Sequence, residues 1–206
     1  MRKKITPLPR HKVIREGKIF VISGPSGSGK TTLLKKLFLD RRIERRFAKS
    51  VSLTTRPKRS GERNKKDYFF VSKEEFRRLL KRGKILEWTK YLGHYYATPR
   101  DLVQGKLEKG RHVILCLDIK GAKSIRHIYP LNSVNIFILP PSLNALRKRI
   151  EGRCAKTAKE EVSRRLGLVS AELSAAEKYD YRLVNKDLEA VVESLKKIIL
   201  ANIKKR

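Results

Sequence analysis

The chain has 206 residues, of which 40% are hydrophobic and 34% are charged. This length fits one domain that can bury a sizeable core, and no stretch approaches the roughly 20 apolar residues that span a membrane. The two cysteines give neither a disulfide framework nor a metal-ligand pair, and the basic N-terminus lacks the apolar core of a signal peptide. We therefore expect a cytoplasmic protein with no membrane association.

The charge is strongly basic, with 51 lysines and arginines against 20 acids and a formal net charge of +31. Such an excess favours anionic partners, such as nucleotides, phosphates or nucleic acid. Because the basic residues are spread along the chain, we favour the alternative that the excess charge is only a solvated basic surface. The densest cluster lies in residues 1–18, and we assign residues 1–16 to a basic arm that precedes a domain at 17–206.

Short apolar runs separated by helical patterns predict an α/β domain. The run at 18–23 predicts a buried strand, and residues 30–39, after a glycine-rich turn, have helical spacing. Strands separated by helices imply a parallel sheet with right-handed crossovers. Further strands are predicted at 113–117, 134–139 and 182–184, and the last helix at 187–203.

Residues 51–98 differ from this pattern and predict a small mixed α/β lobe inserted into the core. Short aromatic-rich strands at 68–71, 85–88 and 91–97 surround a helix at 73–82. We expect Phe76, Trp88 and Tyr91 to form the core of this lobe.

Residues 150–165 are polar, charged and short of large apolar side chains. This composition predicts a mobile flap rather than a packed element.

A complete phosphate-binding loop follows the first strand. Residues 24–31, GPSGSGKT, match G-x-x-x-x-G-K-[ST], with a strand before them and a helix after them. The glycines let backbone N–H groups turn toward phosphates, and the helix N-terminus favours negative charge. Lys30 is expected to reach the β- and γ-phosphates, and the Thr31 hydroxyl to ligate Mg²⁺. The loop predicts ATP or GTP binding without naming the acceptor.

The segments after the loop resemble the guanylate kinase family over about residues 17–200. The resemblance rests on SLTTRPKRSGE at 52–62, KDYFFV at 66–71, EW at 87–88, GHYYAT at 93–98, DIKGA at 118–122, PPS at 140–142, RIEGR at 149–153, RRL at 164–166, AEL at 171–173 and LVNKDL at 183–188. It implies a P-loop NTPase core at about 17–50, 99–140 and 166–206, a GMP-binding lobe at about 51–98 and a short mobile lid at about 141–165. The implied reaction is ATP + GMP to ADP + GDP, with dGMP as a further acceptor and Mg²⁺ as cofactor.

The resemblance also assigns residues to roles. For catalysis it implies Lys30, Arg149, Arg153 and Arg165; for ATP binding Gly24, Pro25, Ser26, Gly27, Ser28, Gly29, Lys30, Thr31, Thr32 and Asn185; for GMP binding Ser52, Arg56, Arg59, Tyr68, Glu87, Tyr96, Thr98 and Asp118; and for the metal Thr31 and Asp118. Asn185 is placed against the adenine of ATP.

The chemistry of several of these residues agrees with the same interpretation. Arg56 and Arg59 are guanidinium forks that can hold a dianionic phosphate, with Tyr68 donating a hydrogen bond. Guanine offers two adjacent donors, N1–H and the N2 amine, which one carboxylate accepts together. Glu87 is therefore expected to read guanine and Thr98 to donate to its O6. Adenine lacks this donor pair, so a GMP preference is expected.

Three positions depart from the family pattern. Cys116 stands where the first acid of an acid-x-acid pair is usual, which leaves Asp118 alone. Ala97 stands where glycine is usual, so its backbone must avoid positive φ. Cys154 follows Arg153 where glycine is frequent, which would stiffen the flap.

Three alternatives remain open on the sequence. They are a P-loop kinase for another phosphorylated sugar or nucleotide, a non-enzymatic binding module for phosphopeptides, and a nucleic-acid-binding protein that rests on charge alone. We find no RNA- or DNA-binding motif of the usual families, although non-specific affinity for nucleic acid is expected. The oligomeric state is left as monomer or homodimer.

Overall fold

A computed structural model describes residues 17–153 and 159–204. The elements are, in chain order, β1 (Ile19–Ser23), α1 (Lys30–Leu37), α2 (Arg41–Arg46), β2 (Phe47–Lys49), β3 (Leu53–Thr54), β4 (Phe69–Phe70), α3 (Lys73–Lys81), β5 (Ile85–Tyr91), β6 (His94–Pro99), α4 (Arg100–Leu107), β7 (His112–Cys116), α5 (Ile119–Ile128), β8 (Ser133–Leu139), α6 (Leu143–Arg153), α7 (Lys159–Ser174), β9 (Tyr181–Val184) and α8 (Leu188–Lys204). The predicted α/β fold with a parallel sheet is confirmed, and the predicted core elements form with bounds shifted by one or two residues.

The central sheet has the strand order β2-β7-β1-β8-β9, and all its pairings are parallel. All five residues of β1 are buried, because this middle strand has a neighbour on each side and helices on both faces. Phe20 and Ile22 contact the cluster under α1 and α8, whereas Ile19 and Val21 contact the cluster under α4 and α5. Parallel strands end at one edge of the sheet, so the segments that follow them converge there.

A second, mixed sheet has the order β4-β3-β6-β5. In it β3 pairs parallel with β4, while β6 pairs antiparallel with both β3 and β5. A separate cluster around Phe76, Leu53 and Ile85 fills the space between this sheet and α3. The Ser72 hydroxyl caps α3 by accepting from the N–H of Glu75. This sheet and helix correspond to the small mixed lobe expected within residues 51–98.

The lobe differs from the expectation in two respects. The single strand predicted at 91–97 is divided by a turn at Leu92 and Gly93, both of which have positive φ, so that Tyr91 ends β5 and β6 begins at His94. Of the three aromatic residues predicted to form the lobe core, only Phe76 is fully buried. Trp88 is 45% exposed and meets Phe76 edge-on, and Tyr91 lines a cleft.

The prediction of an unpacked flap at 150–165 is wrong for the described residues. Helix α6 extends to Arg153 and α7 begins at Lys159. Leu146, Ile150 and Val169 form a small buried cluster between these helices. These few apolar residues stand among many charged ones, so the sequence did not indicate that they pack together. Cys154 lies outside the described residues, as does the basic arm at 1–16. Among the described residues no helix is long and apolar enough to cross a membrane.

Candidate active site

The phosphate loop joins β1 to α1 at the carboxyl edge of the central sheet. Gly24, Gly27 and Gly29 all have positive φ, a conformation that glycine adopts without strain. A methyl group on Gly24 would lie 2.3 Å from the carbonyl oxygen of Ile138, and one on Gly29 would lie 2.2 Å from Nδ2 of Asn185. The loop therefore packs so closely on its surroundings that side chains are excluded.

Lys30 is held within this loop. Its Nζ donates to the carbonyl oxygens of Gly24 at 2.6 Å and Pro25 at 2.9 Å. These bonds keep the ammonium over the loop, where the phosphates of a nucleotide would meet it. Thr31 lines the same cleft, while Thr32 is exposed.

Asn185 supports the loop from beneath. It is 5% exposed, and its amide donates to the Ser28 carbonyl oxygen at 2.8 Å. The structure therefore brings Asn185 to the phosphate loop, but as a backbone anchor that does not line the cleft. Its expected contact with adenine stays a prediction.

The lobe presents Arg56 to the cleft in a fixed orientation. Its guanidinium donates to both oxygens of Glu62, at 2.8 and 3.0 Å, and lies over the rings of Tyr68 and Phe70. Glu62 also accepts from the backbone N–H of Arg59 at 2.8 Å. One carboxylate thus orders the loop that carries both arginines, and an incoming phosphate would compete with it for Arg56.

Glu87 is a buried carboxyl at the inner end of the lobe. It is 5% exposed, and it accepts a 2.5 Å hydrogen bond from the fully buried Thr98 hydroxyl. Burial raises the pKa of Glu87 to about 7, although the Thr98 bond opposes this. Thr98 does not line the cleft, so in this structure its hydroxyl orients Glu87, and the expected donation to guanine O6 stays a prediction.

This pKa predicts how acceptor binding depends on pH. Only the ionised carboxylate accepts both guanine donors, and it becomes the minor form as the pH falls below about 7. We expect the GMP dissociation constant to rise by up to about tenfold per pH unit below 7 and to level off above 8, as calorimetry between pH 5.5 and 8.5 would show. Glu87→Gln is the control, because it keeps only the titration of the GMP phosphate; an equal slope for both proteins would contradict the prediction.

Asp118 follows β7 at the same edge. Its Oδ1 accepts from the N–H of Gly121 at 2.8 Å and caps α5. A methyl group on Gly121 would lie 2.8 Å from Oε2 of Glu87, so this glycine allows the helix to approach the buried carboxyl. Asp118, Thr31 and Cys116 all line the cleft.

The donor set fits a magnesium ion bound chiefly by phosphates and water. Thr31 and Asp118 offer the hard oxygen atoms that Mg²⁺ prefers, and this ion commonly takes few protein ligands. Within residues 17–153 and 159–204, no three acid, histidine or cysteine side chains form a metal cage. Burial raises the pKa of Cys116, so its neutral thiol is a poor magnesium ligand.

Two of the predicted arginines lie beside the phosphate loop. Arg165 on α7 is 8% exposed, and its Nη1 donates to the Ser26 hydroxyl at 2.8 Å. Nη1 of Arg149 on α6 would lie 3.9 Å from a methyl group on Gly29. The side chain of Arg153 lies outside what the structure describes, so its catalytic role stays a prediction.

One cleft of about 550 Å³ brings most of these residues together. Its walls include Gly24, Ser26, Gly27, Gly29, Lys30, Thr31, Ser52, Arg56, Arg59, Tyr68, Glu87, Tyr96, Asp118 and Arg165. The cleft also has lining residues that the sequence analysis did not assign to the site, among them Lys49, Ser50, Thr89, Tyr91 and Glu172. Thr89 and Tyr91 follow Glu87 at alternate positions of β5, so strand periodicity could have found them. No sequence pattern around Lys49 indicates that it lines the cleft.

The parallel α/β core and the complete phosphate loop at its carboxyl edge define a P-loop nucleotide-binding protein. The Guanylate kinase family model matches residues 16–202. The chain is 42% identical to the guanylate kinase of Caldanaerobacter subterraneus subsp. tengcongensis over 187 residues, 91% of this chain and 88% of that protein. It is 39% identical to the guanylate kinase of Bacillus cereus over 90% of this chain and 89% of that protein.

A solved structure agrees with these relatives. The crystal structure of guanylate kinase from Anaplasma phagocytophilum superposes with a TM-score of 0.77 at 35% sequence identity, covering 92% of this chain and 88% of that one. The chain belongs to the guanylate kinase family. Members of this family are ATP-dependent phosphotransferases that act on a nucleoside monophosphate.

Proposed function

We propose that this chain transfers the γ-phosphoryl group of ATP to GMP, and also to dGMP. One observation carries the proposal: a single cleft is lined by the phosphate loop at one end and by Arg56 and Glu87 at the other. The first end suits a nucleoside triphosphate, and the second suits a guanine nucleotide with a 5′-phosphate. The core at about 17–50, 99–140 and 166–206 would bind ATP, the lobe at about 51–98 would bind GMP, and a lid at about 141–165 would cover them.

Each group in the cleft has a role in this reaction. Arg56, Arg59 and Tyr68 would hold the GMP phosphate, with Ser52 and Tyr96 beside them, while Glu87 reads guanine. Lys30, Arg149, Arg153 and Arg165 would neutralise the charge of the transferring phosphoryl group. Positioning two polyanions in line is the main task, so no protein nucleophile is required.

Mg²⁺ would be held near Thr31 and Asp118, where it supplies positive charge to the β- and γ-phosphates. The chain would act in the cytoplasm as a monomer or homodimer. Its net charge of +31 would also give non-specific affinity for nucleic acid.

The proposal is tested by coupled ADP release with ATP, Mg²⁺ and each of GMP, dGMP, AMP, CMP and UMP. We expect a kcat/KM for GMP at least about a hundredfold above those for AMP, CMP and UMP. Comparable turnover of AMP would overturn the assignment. ATP binding without turnover of any acceptor would favour a binding module instead.

The replacement of the usual acid by Cys116 gives a prediction for the metal. Cys116→Asp should lower the Mg²⁺ concentration for half-maximal rate, by about threefold or more, because it adds a hard oxygen ligand and a negative charge beside Asp118. Cys116→Ser is the matched control, since it changes the sulfur without adding charge. Superimposable Mg²⁺ titrations of Cys116→Asp and the wild type would show that the second acid is dispensable. Asp118→Asn should nearly abolish turnover.

A further inference from the structure

Lys49 is a cleft residue without an assigned role. It ends β2, where it pairs in parallel register with Ile114 of β7. Phe47, two residues earlier on the same face, lies in the cluster under α1 and α8, and so does Ile114. The side chain of Lys49 therefore lies on the α1 side of the sheet, at the edge from which the phosphate loop emerges.

The surroundings of Lys49 place its charge close to the transfer site. Lys49, Lys30 and Thr31 line the same cleft. In the strand order β2-β7-β1, Cys116 at the end of β7 lies between the end of β2, which carries Lys49, and the end of β1, which leads into the phosphate loop. Cys116 is two residues beyond the level of Lys49 on β7, about 6.6 Å along the strand, which a four-carbon stem can span.

The ammonium of Lys49 is not neutralised by the protein. Within residues 17–153 and 159–204, neither a carboxylate nor a hydrogen-bond acceptor is paired with it. By contrast, the Arg56 guanidinium in the same cleft is paired with Glu62. A half-buried ammonium group without a partner is unfavourable. Its pairing with a phosphate that enters the cleft is therefore strongly favoured.

We propose that Lys49 binds the γ-phosphoryl group of ATP from the side of the acceptor lobe and holds it during transfer. This inference rests on the proposed function only for the direction of transfer; the phosphate contact itself concerns ATP alone. The acceptor phosphate has its own cations in Arg56 and Arg59, and Lys30 approaches from the phosphate loop. Lys49 lies across Cys116 from Lys30, at the point where β2 leads through Ser50 and Ser52 into the lobe.

The proposed contact between Lys49 and the γ-phosphate depends on the identity of residue 116. Cysteine at position 116 places no carboxylate beside Lys49, whereas an acid there would form an ion pair with the Lys49 ammonium group. The chain thus keeps a positive charge in the cleft that Asp118 also lines, near the position where Cys116 replaces the family's usual acid. The attraction between the Lys49 ammonium and the γ-phosphoryl group increases as that group leaves the β-phosphate and moves toward the lobe. The charge therefore stabilises the transition state more than the bound ATP.

Calorimetry with ATP and ADP, in EDTA so that no metal contributes, tests the contact. Lys49→Met should weaken ATP binding by about tenfold and leave ADP binding within about twofold, because only ATP carries the γ-phosphate. Lys49→Arg should keep the wild-type ratio of the two affinities. The matched control is Lys35→Met, which removes an exposed charge from the rim of the same cleft and should weaken both nucleotides alike or neither.

A kinetic measurement separates a role in transfer from one in binding. With saturating Mg²⁺, Lys49→Met should lower kcat by about a hundredfold while the KM for GMP changes less than threefold. Equal losses for ATP and ADP, an ATP-specific loss in Lys35→Met, or wild-type kcat in folded Lys49→Met would each overturn the inference. The ATP-to-ADP ratio does not depend on the acceptor, so failure of GMP turnover would refute the proposed function and leave this test intact.

Discussion

Lys30→Ala is expected to lower kcat/KM by on the order of a thousandfold. The ammonium is held over the phosphate loop by the carbonyl oxygens of Gly24 and Pro25, so its charge is in place before the nucleotide arrives. A preorganised charge needs no rearrangement during transfer, which makes its removal costly to the rate. Turnover is measured with ATP and GMP, beside circular dichroism and thermal unfolding.

The fold should tolerate this change. Two carbonyl oxygens lose a donor at the rim of a cleft, where water can replace it, so the free energy of unfolding should fall by only about 1 kcal/mol. Lys35→Ala, one turn further along α1 and exposed, is the control for loss of a lysine. A folded Lys30→Ala protein with wild-type turnover would remove the phosphate-loop assignment.

Glu87→Gln is expected to reduce the preference for GMP over AMP from at least about a hundredfold to about tenfold. The amide has one acceptor oxygen, so it can meet only one of the two guanine donors, and its NH₂ group faces the other. The carboxyl is 5% exposed. In so buried a site, the guanine N–H group that loses its acceptor cannot form a hydrogen bond with water instead. The kcat/KM values for GMP, IMP and AMP are compared, since IMP lacks the N2 amine.

The matched control is Glu172→Gln, another carboxyl with a raised pKa in the same cleft. Glu172 is on α7 and not on the lobe sheet that carries Glu87, so its loss should change turnover of GMP and AMP in proportion. Retention of the full wild-type preference in Glu87→Gln would show that another group reads guanine.

Strong local patterns account for what the sequence predicted well. The phosphate loop is continuous in the chain, and its glycines are needed by its own backbone geometry, so eight adjacent residues were sufficient. The core strands were found because buried parallel strands are apolar throughout. By contrast, β2 has only three residues and ends in a lysine, so neither its existence nor the placement of Lys49 in the cleft was predicted.

The packing of residues 150–165 was mispredicted because their composition does not show which distant residues they contact. Leu146, Ile150 and Val169 are separated in the sequence by many charged residues, and they form a cluster only when α6 and α7 pack together. Trp88 was misplaced for a related reason. A large aromatic residue in a strand is usually buried. Trp88 does lie on the α3 side of the sheet, where it meets Phe76 and Tyr95 edge-on, but the nine-residue helix leaves 45% of it exposed.

The sequence by itself determined the class of fold, the phosphate loop and the residue types that an anionic, guanine-bearing acceptor needs. The tertiary structure decided how those residues are positioned and oriented in the cleft. The register of β5 against β6 shifts between Ile85 and Glu87, so Ile85 joins the lobe cluster, Leu86 joins the core cluster under α4 and α5, and Glu87 meets Thr98. Such a bulge depends on which surfaces the two neighbouring residues must fill, and those surfaces come from segments distant in the chain.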